Sequence, residues 1–265
     1  MLILRSTVKL IGRYVNFSVC GELERQIGVT SMRQADTGTT GTRLPGRRGR
    51  PAKTDGASNA AETILDSAEL EFSRHGYDGV SQRMIARRAS VDVALLHYYF
   101  DTKKGLFDAV FMRRAEILNR ERLARLDAYE AERGDAMTLE GLMDAFLAPV
   151  LVWSASTDAG WRNYFSLIAQ VSNTPEWGGE TMARYFDPVV QRLIALVRRV
   201  LPQAADTDLY WSYHMLSGAL MLTLSETGRI DRLSGGICRS DDMTAARERM
   251  VPFAAAGFRA ACRVP

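Results

Sequence analysis

The residues that could carry out catalysis or bind a metal are few and scattered in this sequence of 265 residues. Its histidines and cysteines, three of each, have no metal-ligand spacing: His75, His97, His214, Cys20, Cys238 and Cys262. The chain also has no phosphate loop, no glycine fingerprint for a dinucleotide, no His-Glu-x-x-His and no Gly-x-Ser-x-Gly. We therefore predict that the protein is not an enzyme and needs no metal or cofactor.

Positive charge is instead concentrated ahead of the first predicted helix. Five cationic residues stand close together with no acidic residue among them: Arg43, Arg47, Arg48, Arg50 and Lys53. In the segment Arg48-Gly49-Arg50-Pro51, glycine leaves the backbone flexible and proline keeps it extended. Such an arm can enter the narrow minor groove of A·T-rich DNA, with Arg48 and Arg50 as the contacts. A solvated basic linker that contacts nothing is the alternative interpretation.

The first helix after this arm is predicted from helical spacing. Apolar residues between Ala61 and Phe72 recur every three or four positions, which makes one face of an amphipathic helix. Ser58 is the predicted N-cap, and Gly76 suits the left-handed position that ends a helix. We expect this helix to run from Ser58 to His75.

Two short helices follow in the arrangement of a helix-turn-helix. Ser81 caps a predicted helix over 82–89, and Asp92 caps another over 93–99 after a tight turn at 90–91. The last helix of such a unit fits the major groove of DNA. The sequence therefore predicts a DNA-binding unit at this point.

The side chains of that last helix decide what the unit could read. Val91 and Leu96 are predicted to face inward and hold the helix in place. The residues left for its outer faces are Val93, Ala94, Leu95, His97 and Tyr98. Tyr98, Tyr99 and Phe100 also form a dense aromatic cluster.

A fourth helix is predicted directly after this cluster, with two lysines in its first turn. Thr102 can cap it, and the lysines are Lys103 and Lys104. Because cations are disfavoured at a helix N-terminus, the two lysines indicate a nearby anion, and a DNA phosphate is the obvious one. The alternative is an aromatic hinge between domains with solvated lysines.

A specific pattern runs in unbroken register through residues 58–118. Its members are Ile64, Leu65, Ala68, Phe72, Gly76, Tyr77, Ser81, Ile85, Ala86, Ala89, Val91, Asp92, Leu96, Tyr98, Phe100, Lys103 and Leu106. This pattern resembles the DNA-binding domain of TetR-family transcriptional regulators. The resemblance implies an all-α homodimer with an N-terminal three-helix helix-turn-helix domain and a larger C-terminal helical domain for effector binding and dimerisation. It also implies that a bound effector changes the spacing of the two DNA-reading heads and releases the operator.

The resemblance also assigns roles in DNA binding. Arg83 matches a residue that enters the major groove, where guanine is its best target, and Tyr98 and Lys103 match phosphate contacts. The apolar recognition residues could read thymine methyl groups, and His97 stands where the family usually has tyrosine. The predicted DNA-binding residues are Arg48, Arg50, Ser81, Arg83, Val93, Ala94, Leu95, His97, Tyr98, Tyr99 and Lys103.

Two residues depart from the family pattern. Ser90 stands where glycine is usual in the turn, and a non-glycine residue at positive φ costs on the order of 1 kcal/mol. Glu71 stands where leucine is common, so we expect the first helix to pack with one fewer apolar contact.

Helical spacing continues through the rest of the chain, and no strand pattern competes with it. Helices are predicted at 103–131, 138–155, 159–173, 178–201, 206–229 and 242–261. The last two are predicted to pack with a twofold mate into a four-helix bundle; burial within one subunit is the alternative. The residues assigned to that surface are Tyr210, Met215, Gly218, Ala219, Leu222, Leu224, Val251, Phe253, Ala254, Ala255, Gly257 and Phe258.

The C-terminal half is rich in large apolar groups that could together line an effector pocket, although for any single residue burial in the core is the better explanation. The predicted pocket residues are Phe146, Trp153, Trp161, Tyr164, Phe165, Gln170, Trp211 and His214. Several short segments resemble the fatty-acid-responsive repressors of the PsrA type: 173–175, 186–189, 198–202, Trp211, 218–220 and 251–253. That resemblance implies a fatty acid or its CoA thioester as the effector.

Composition and charge suit this interpretation. Hydrophobic residues make up 46% of the chain and charged residues 25%, as in ordinary globular proteins, and the net charge is only +3. No apolar run is long enough to span a bilayer, so we expect no membrane partner, and the few cysteines favour the reducing cytoplasm. Because the net charge is so small, any binding of DNA must depend on where the positive charge lies along the chain.

We expect a disordered extension with the basic arm at 1–57, a DNA-binding domain at 58–118 with its helix-turn-helix at 81–100, and an effector-binding and dimerisation domain at 119–265. Because residues 1–31 resemble no folded element, we hypothesise that translation starts at Met32. The predicted function is a homodimeric repressor on a palindromic operator of double-stranded DNA, released by a small apolar effector. The alternative is an effector-independent, architectural DNA-binding protein.

Overall fold

The computed structural model describes residues 53–174 and 177–262, and the regular elements in those ranges are all helical. Four helices come first: α1 (Lys53–His75), α2 (Gln82–Ala89), α3 (Val93–Phe100) and α4 (Lys103–Arg133). After a 3₁₀ turn at Gly134–Ala136 come α5 (Leu139–Ser154), α6 (Ala159–Ser172), α7 (Gly178–Val200), α8 (Asp206–Leu224), α9 (Arg229–Leu233) and α10 (Met243–Ala261). The predicted all-α class is confirmed, and none of the described helices is both long enough and apolar enough to cross a membrane.

The predicted caps of the helix-turn-helix are present. The Ser81 hydroxyl accepts a hydrogen bond from the Met84 amide at 3.3 Å, and the Asp92 carboxylate accepts one from the Ala94 amide at 2.7 Å. Gly76 has a φ of +68° where the chain leaves α1. As a result α2 has the predicted bounds, and α3 is one residue longer than predicted.

Two helix ends differ from the predictions. α1 begins at Lys53 instead of Ser58, so Ser58 lies within the helix and is not its N-cap. α8 ends at Leu224, short of the predicted 229, because Glu226 and Gly228 have φ values of +42° and +66°. The chain then forms α9, which is too short at five residues to show a helical period.

Contacts divide the chain into two units, residues 1–63 and residues 64–265. In the first, the Thr63 hydroxyl donates to the Asn59 carbonyl at 2.8 Å. In the second, α5 packs against both α4 and α10, and α7 packs against α4. Because α4 runs unbroken across the expected domain boundary at 118/119, that boundary stays a prediction.

Aromatic rings connect the end of α1 to α4 and to the start of α7. Phe107 of α4 meets Phe72 edge-on at 5.3 Å between ring centres and meets Trp177 at 5.4 Å. Tyr77 contacts Trp177 at 5.3 Å, and Phe107 stacks on Phe111 at 5.8 Å. This cluster fixes the end of α1 against the N-terminal half of α4 and the start of α7.

Candidate DNA-binding surface and effector cavity

The recognition helix α3 presents fewer side chains than predicted. Ala94, His97 and Tyr98 are exposed, and Tyr98 is 80% exposed. Val93 and Leu95 are half-buried against the core, so only part of each side chain reaches the outer faces. Val93 lies one turn before the fully buried Leu96 and therefore shares its face.

The aromatic residues at the end of α3 have different environments. Tyr99 is half-buried, and its ring packs edge-on against Tyr98 with 5.2 Å between ring centres. His97 Nδ1 lies 2.8 Å from the carbonyl oxygen of Asp101, a residue with a φ of +60°. Tyr99 therefore supports the exposed Tyr98 ring, and the His97 ring is held at the end of the helix.

The outer face of α2 carries uncompensated positive charge. Arg83 and Arg87 are exposed, and neither has an acidic partner within residues 53–174 and 177–262. Ser81 is exposed, and its hydroxyl can still donate its proton while it accepts the cap bond. The predicted minor-groove residues Arg48 and Arg50 lie outside the described residues.

The two lysines at the start of α4 are not equivalent. Lys103 Nζ lies 4.3 Å from the centre of the Tyr77 ring, a contact that leaves its charge unneutralised. Lys104 forms an ion pair with Asp108 one turn later, so the expectation that both lysines await an anion is wrong for Lys104. Thr102 caps the helix as predicted, because its hydroxyl accepts from the Gly105 amide at 2.9 Å.

Both departures from the family pattern have a structural account. Ser90 adopts the left-handed conformation that glycine usually supplies, at φ +55° and ψ +41°. Glu71 is 5% exposed and forms an ion pair with Arg88 of α2, while His75 Nε2 lies 3.6 Å from its other oxygen. The expected loss of an apolar contact is therefore replaced by a charged link between α1 and α2.

The C-terminal half contains a narrow cavity of about 30 Å³ among α4, α5, α6, α7 and α8. This is close to the space of one water molecule, whereas pockets for drug-sized ligands measure roughly 300–1,000 Å³. Of the predicted pocket residues, Phe146 and Phe165 line the cavity. Aliphatic neighbours complete its apolar wall: Leu118, Val150, Ile168, Leu216, Leu220 and Leu224.

The predicted aromatic residues of α5 and α6 mostly lie beside this cavity in the core. Trp153 stacks on Trp161 with 4.5 Å between ring centres, and its Nε1 donates to Glu121 at 2.6 Å. Tyr164 is fully buried, and its hydroxyl has no hydrogen-bond partner among the described residues. Neighbouring side chains from α4 and α6 surround these three residues in the core, and none of the three lines the cavity.

Of the remaining predicted pocket residues, Gln170 lines a second, separate pocket of about 190 Å³ beside the end of α1, and Trp211 and His214 lie on the surface. Gln170 Nε2 donates to the Ser73 carbonyl at 2.7 Å, which links α6 to the end of α1. Trp211 is 61% exposed, and the exposed His214 packs edge-on against it. α8 turns Leu216 inward, and helical geometry then directs Trp211 and His214 outward.

The polar lining of the cavity comprises Arg122, Tyr213 and Ser217, which sequence reasoning missed. Burial lowers the pKa of Arg122 to about 10, so its guanidinium remains charged at neutral pH. The sequence did contain a sign that Arg122 is buried, because this residue stands one turn from both Leu118 and Leu126 on the apolar stripe of α4.

Two protein-family descriptions match this chain. Residues 64–110 match the bacterial regulatory proteins of the tetR family, and residues 144–257 match the tetracyclin repressor-like C-terminal domain. Over 47 residues the chain is 43% identical to YttP of Bacillus subtilis, assigned as an HTH-type transcriptional regulator. It is 38% identical over 47 residues to IcaR of Staphylococcus aureus, the negative transcriptional regulator of the icaADBC biofilm operon. Each match covers 18% of this chain and about a quarter of the relative, 23% of YttP and 25% of IcaR.

Solved structures share the fold over most of the chain. HlyIIR, a hemolysin II transcriptional regulator, is 17% identical, with a TM-score of 0.50 over 74% of this chain and 97% of its own. A protein of Pseudomonas aeruginosa PAO1 assigned as a transcriptional regulator is 18% identical, with a TM-score of 0.54 over 77% of this chain and 93% of its own. At such identities the likeness shows the fold alone. The two family matches establish that the chain belongs to the TetR family of transcriptional regulators, a family of DNA-binding proteins and not of enzymes.

Proposed function

We propose that the protein is a cytoplasmic, homodimeric repressor that binds a palindromic operator and leaves it when a small apolar effector binds the C-terminal half. The observation that carries the proposal is the uncompensated polar surface of the helix-turn-helix. Arg83 and Tyr98 belong to this surface, and Lys103 at the start of α4 continues it. The large ring of Tyr98 is 80% exposed, and no contact within the described residues accounts for that exposure. The name of IcaR as a negative regulator supports repression.

Each exposed residue has a distinct role in the proposed complex. Arg83 donates to guanine in the major groove, and the Ala94 methyl group contacts a thymine methyl. Tyr98 and Lys103 contact phosphates, which set the position of the head without reading sequence. Val93 and Leu95 hold α3 in place instead of reading bases, since both pack on the core.

The basic arm ahead of α1 and the remaining predicted residues of α2 and α3 contribute further contacts in this proposal. Arg48 and Arg50 enter the adjacent minor groove, where the potential of A·T-rich DNA is most negative. His97 reaches the edge of the major groove. Tyr99 keeps the Tyr98 ring in place, and Ser81 donates to a phosphate at the start of α2.

α4 provides the connection between effector and operator. Its first residue, Lys103, lies in the part of the chain proposed to contact DNA, α2, α3 and the first turn of α4, which we call the DNA-reading unit. Leu118 and Arg122 of the same helix line the cavity. In this proposal, effector binding widens the cavity and displaces the middle of α4. If this displaced state binds DNA less tightly, effector binding lowers operator affinity by linkage.

A dimer surface on α8 and α10 is supported by exposed apolar side chains. Trp211, Met215 and Leu222 on α8 and Phe253 on α10 are each between 61% and 68% exposed. Four residues first assigned to this surface are buried within the chain instead: Leu224, Ala254, Ala255 and Phe258. In sedimentation experiments, Leu222→Glu should therefore give monomers, and Ile237→Glu in the exposed segment after α9 should not.

Selection from a random pool of duplex DNA tests the whole proposal. The protein should enrich a palindrome with half-sites roughly 34–36 Å apart and bind it with a dissociation constant of about 10⁻⁸ M or tighter at physiological salt. Tyr98→Ala should weaken binding to all sequences, whereas Arg249→Ala on α10 should not. Failure to enrich any sequence, with the protein folded and dimeric, would contradict the proposal.

The narrow cavity favours a second candidate, an effector-independent DNA-binding protein. At about 30 Å³ the cavity holds no apolar ligand without rearrangement of its walls. Operator binding that no apolar compound changes would favour this candidate.

A further inference from the structure

Arg122 is the most deeply buried charge of the C-terminal half that faces a cavity. The residue is 5% exposed, and its guanidinium lies over the Phe146 ring, 3.6 Å from the ring centre. Its Nε donates to the Phe146 carbonyl at 3.1 Å. Two nitrogens of the guanidinium therefore remain for other partners.

No carboxylate within the described ranges forms an ion pair with Arg122. The groups close enough to affect its charge are the hydroxyls of Tyr213 and Tyr164, which are neutral, and Tyr164 itself has no hydrogen-bond partner there. A buried charge without a counter-charge is costly, and buried charges in proteins are ordinarily paired. An anion is the partner that this site lacks.

The rest of the cavity specifies the remainder of the ligand. Its walls are aliphatic and aromatic, apart from the hydroxyl groups of Tyr213 and Ser217. Met182 and Met221 also line it, and methionine side chains rearrange readily to admit a ligand. An apolar chain with one anionic head fits this distribution of charge.

We propose that Arg122 binds the carboxylate of an apolar monocarboxylic acid and that this free acid, rather than its thioester, is the effector. The inference rests on the proposed effector-responsive function. The head group occupies the existing space beside the guanidinium, and the chain extends where the methionines move aside. A CoA thioester has a neutral carbonyl at the corresponding position and leaves the charge uncompensated.

Equilibrium binding to the full-length protein tests this pairing, with tryptophan fluorescence as the readout. The ligands are decanoate and hexadecanoate, the matched alcohols decanol and hexadecanol, and decanoyl-CoA. The variants are Arg122→Met, which keeps the side-chain volume, and Arg122→Lys, which keeps the charge. Arg120→Met, exposed on the same helix, is the control.

We expect the wild-type protein and Arg120→Met to bind a carboxylate about 10- to 100-fold more tightly than the matched alcohol. Arg122→Met should abolish this preference, and Arg122→Lys should restore part of it because an ammonium still pairs with the carboxylate. Arg122→Met should also melt at or above the wild-type temperature, since it removes an uncompensated buried charge. A merely structural arginine would instead give a lower melting temperature and an unchanged preference.

The outcomes separate failure of this proposal from failure of the proposed function. Equal binding of carboxylate and alcohol, unchanged in Arg122→Met, would overturn the arginine anchor and leave an apolar effector in place. Tighter binding of decanoyl-CoA than of decanoate would overturn the assignment of the free acid. Absence of binding to every ligand, with operator binding intact, would overturn the anchor together with the effector response but not DNA recognition.

Discussion

Helix α4 carries buried or partly buried arginine side chains at two places, and their positive charges are compensated differently. Near the DNA-reading unit, Arg113 and Arg114 both donate to the Glu69 carboxylate of α1, at 2.7 and 2.8 Å. About two turns further on, Arg122 donates to the carbonyl of Phe146 and lies over its ring. The arginine charges of the first site are paired with a carboxylate, and among the described residues no carboxylate pairs with the charge of the second.

The difference indicates separate tasks for the two regions. Arg114 also approaches Asp158 at the start of α6 at 3.4 Å and lies over the Trp161 ring, so the first site joins three helices in one arrangement. Such a network favours a rigid connection to the DNA-reading unit. An uncompensated charge in a cavity instead favours a state in which a ligand is bound.

The largest expected effect concerns the paired site. Glu69→Gln should lower the free energy of unfolding by about 3–5 kcal/mol, because it leaves two arginines without their shared buried carboxylate. Urea unfolding followed by circular dichroism measures this. Asp158→Asn is the control, since it keeps the cap of α6 and removes an exposed carboxylate worth less than about 1 kcal/mol. Equal losses in the two variants would mean that the site near the DNA-reading unit is not the rigid one.

The next effect concerns sequence reading. Arg83→Ala should reduce discrimination at one base pair by about 1–3 kcal/mol, because a bidentate contact to guanine is lost. Competition binding with operators substituted at each position measures it. A uniform loss across all positions would make Arg83 a phosphate contact instead.

A smaller effect concerns phosphate contact. Lys103→Ala should weaken binding to all sequences and reduce the slope of log K against log salt concentration by about 0.9, the value for one phosphate. Anisotropy titrations over a series of salt concentrations measure the slope. Lys104→Ala is the matched control, because its ammonium is already paired with Asp108 and the slope should stay nearly constant. An unchanged slope in Lys103→Ala would mean that the Lys103 ammonium contacts the Tyr77 ring and no phosphate.

The smallest effect concerns the turn between α2 and α3. Ser90→Gly should raise the free energy of unfolding by up to about 1 kcal/mol, because glycine adopts the observed φ of +55° without strain. Ser90→Ala keeps the strain and should change stability little. Thermal unfolding of the three proteins separates these cases, and destabilisation by glycine would show that the serine side chain contributes to the turn.

Much of the DNA-reading unit was predictable because its signals are local. Caps at Ser81, Asp92 and Thr102 and the left-handed Gly76 each act within a few residues, and all four were expected from the sequence. The orientation of α3 was less predictable. Val93 and Leu95 are apolar in a helix of eight residues, and only contact with neighbouring helices decides how many faces are buried.

Prediction failed most often where residue type was used to infer position. Trp211 and His214 resemble pocket residues in size and polarity, but they lie on the exposed side of α8. The end of that helix was also missed, since Glu226 gives no sign of the positive φ that stops it. Large aromatic residues serve cores, cavities and interfaces alike, so the type of residue does not select among them.

By itself the sequence determined the helical class, the short capped helices and the family pattern of the DNA-reading unit, because these depend on spacing along one chain segment. The tertiary structure alone decided that Arg122 lines a cavity and meets no carboxylate among the residues that the structure describes. Five successive helices, with lining residues that range from Leu118 to Leu224, form that cavity, and their packing sets which partners a buried charge meets.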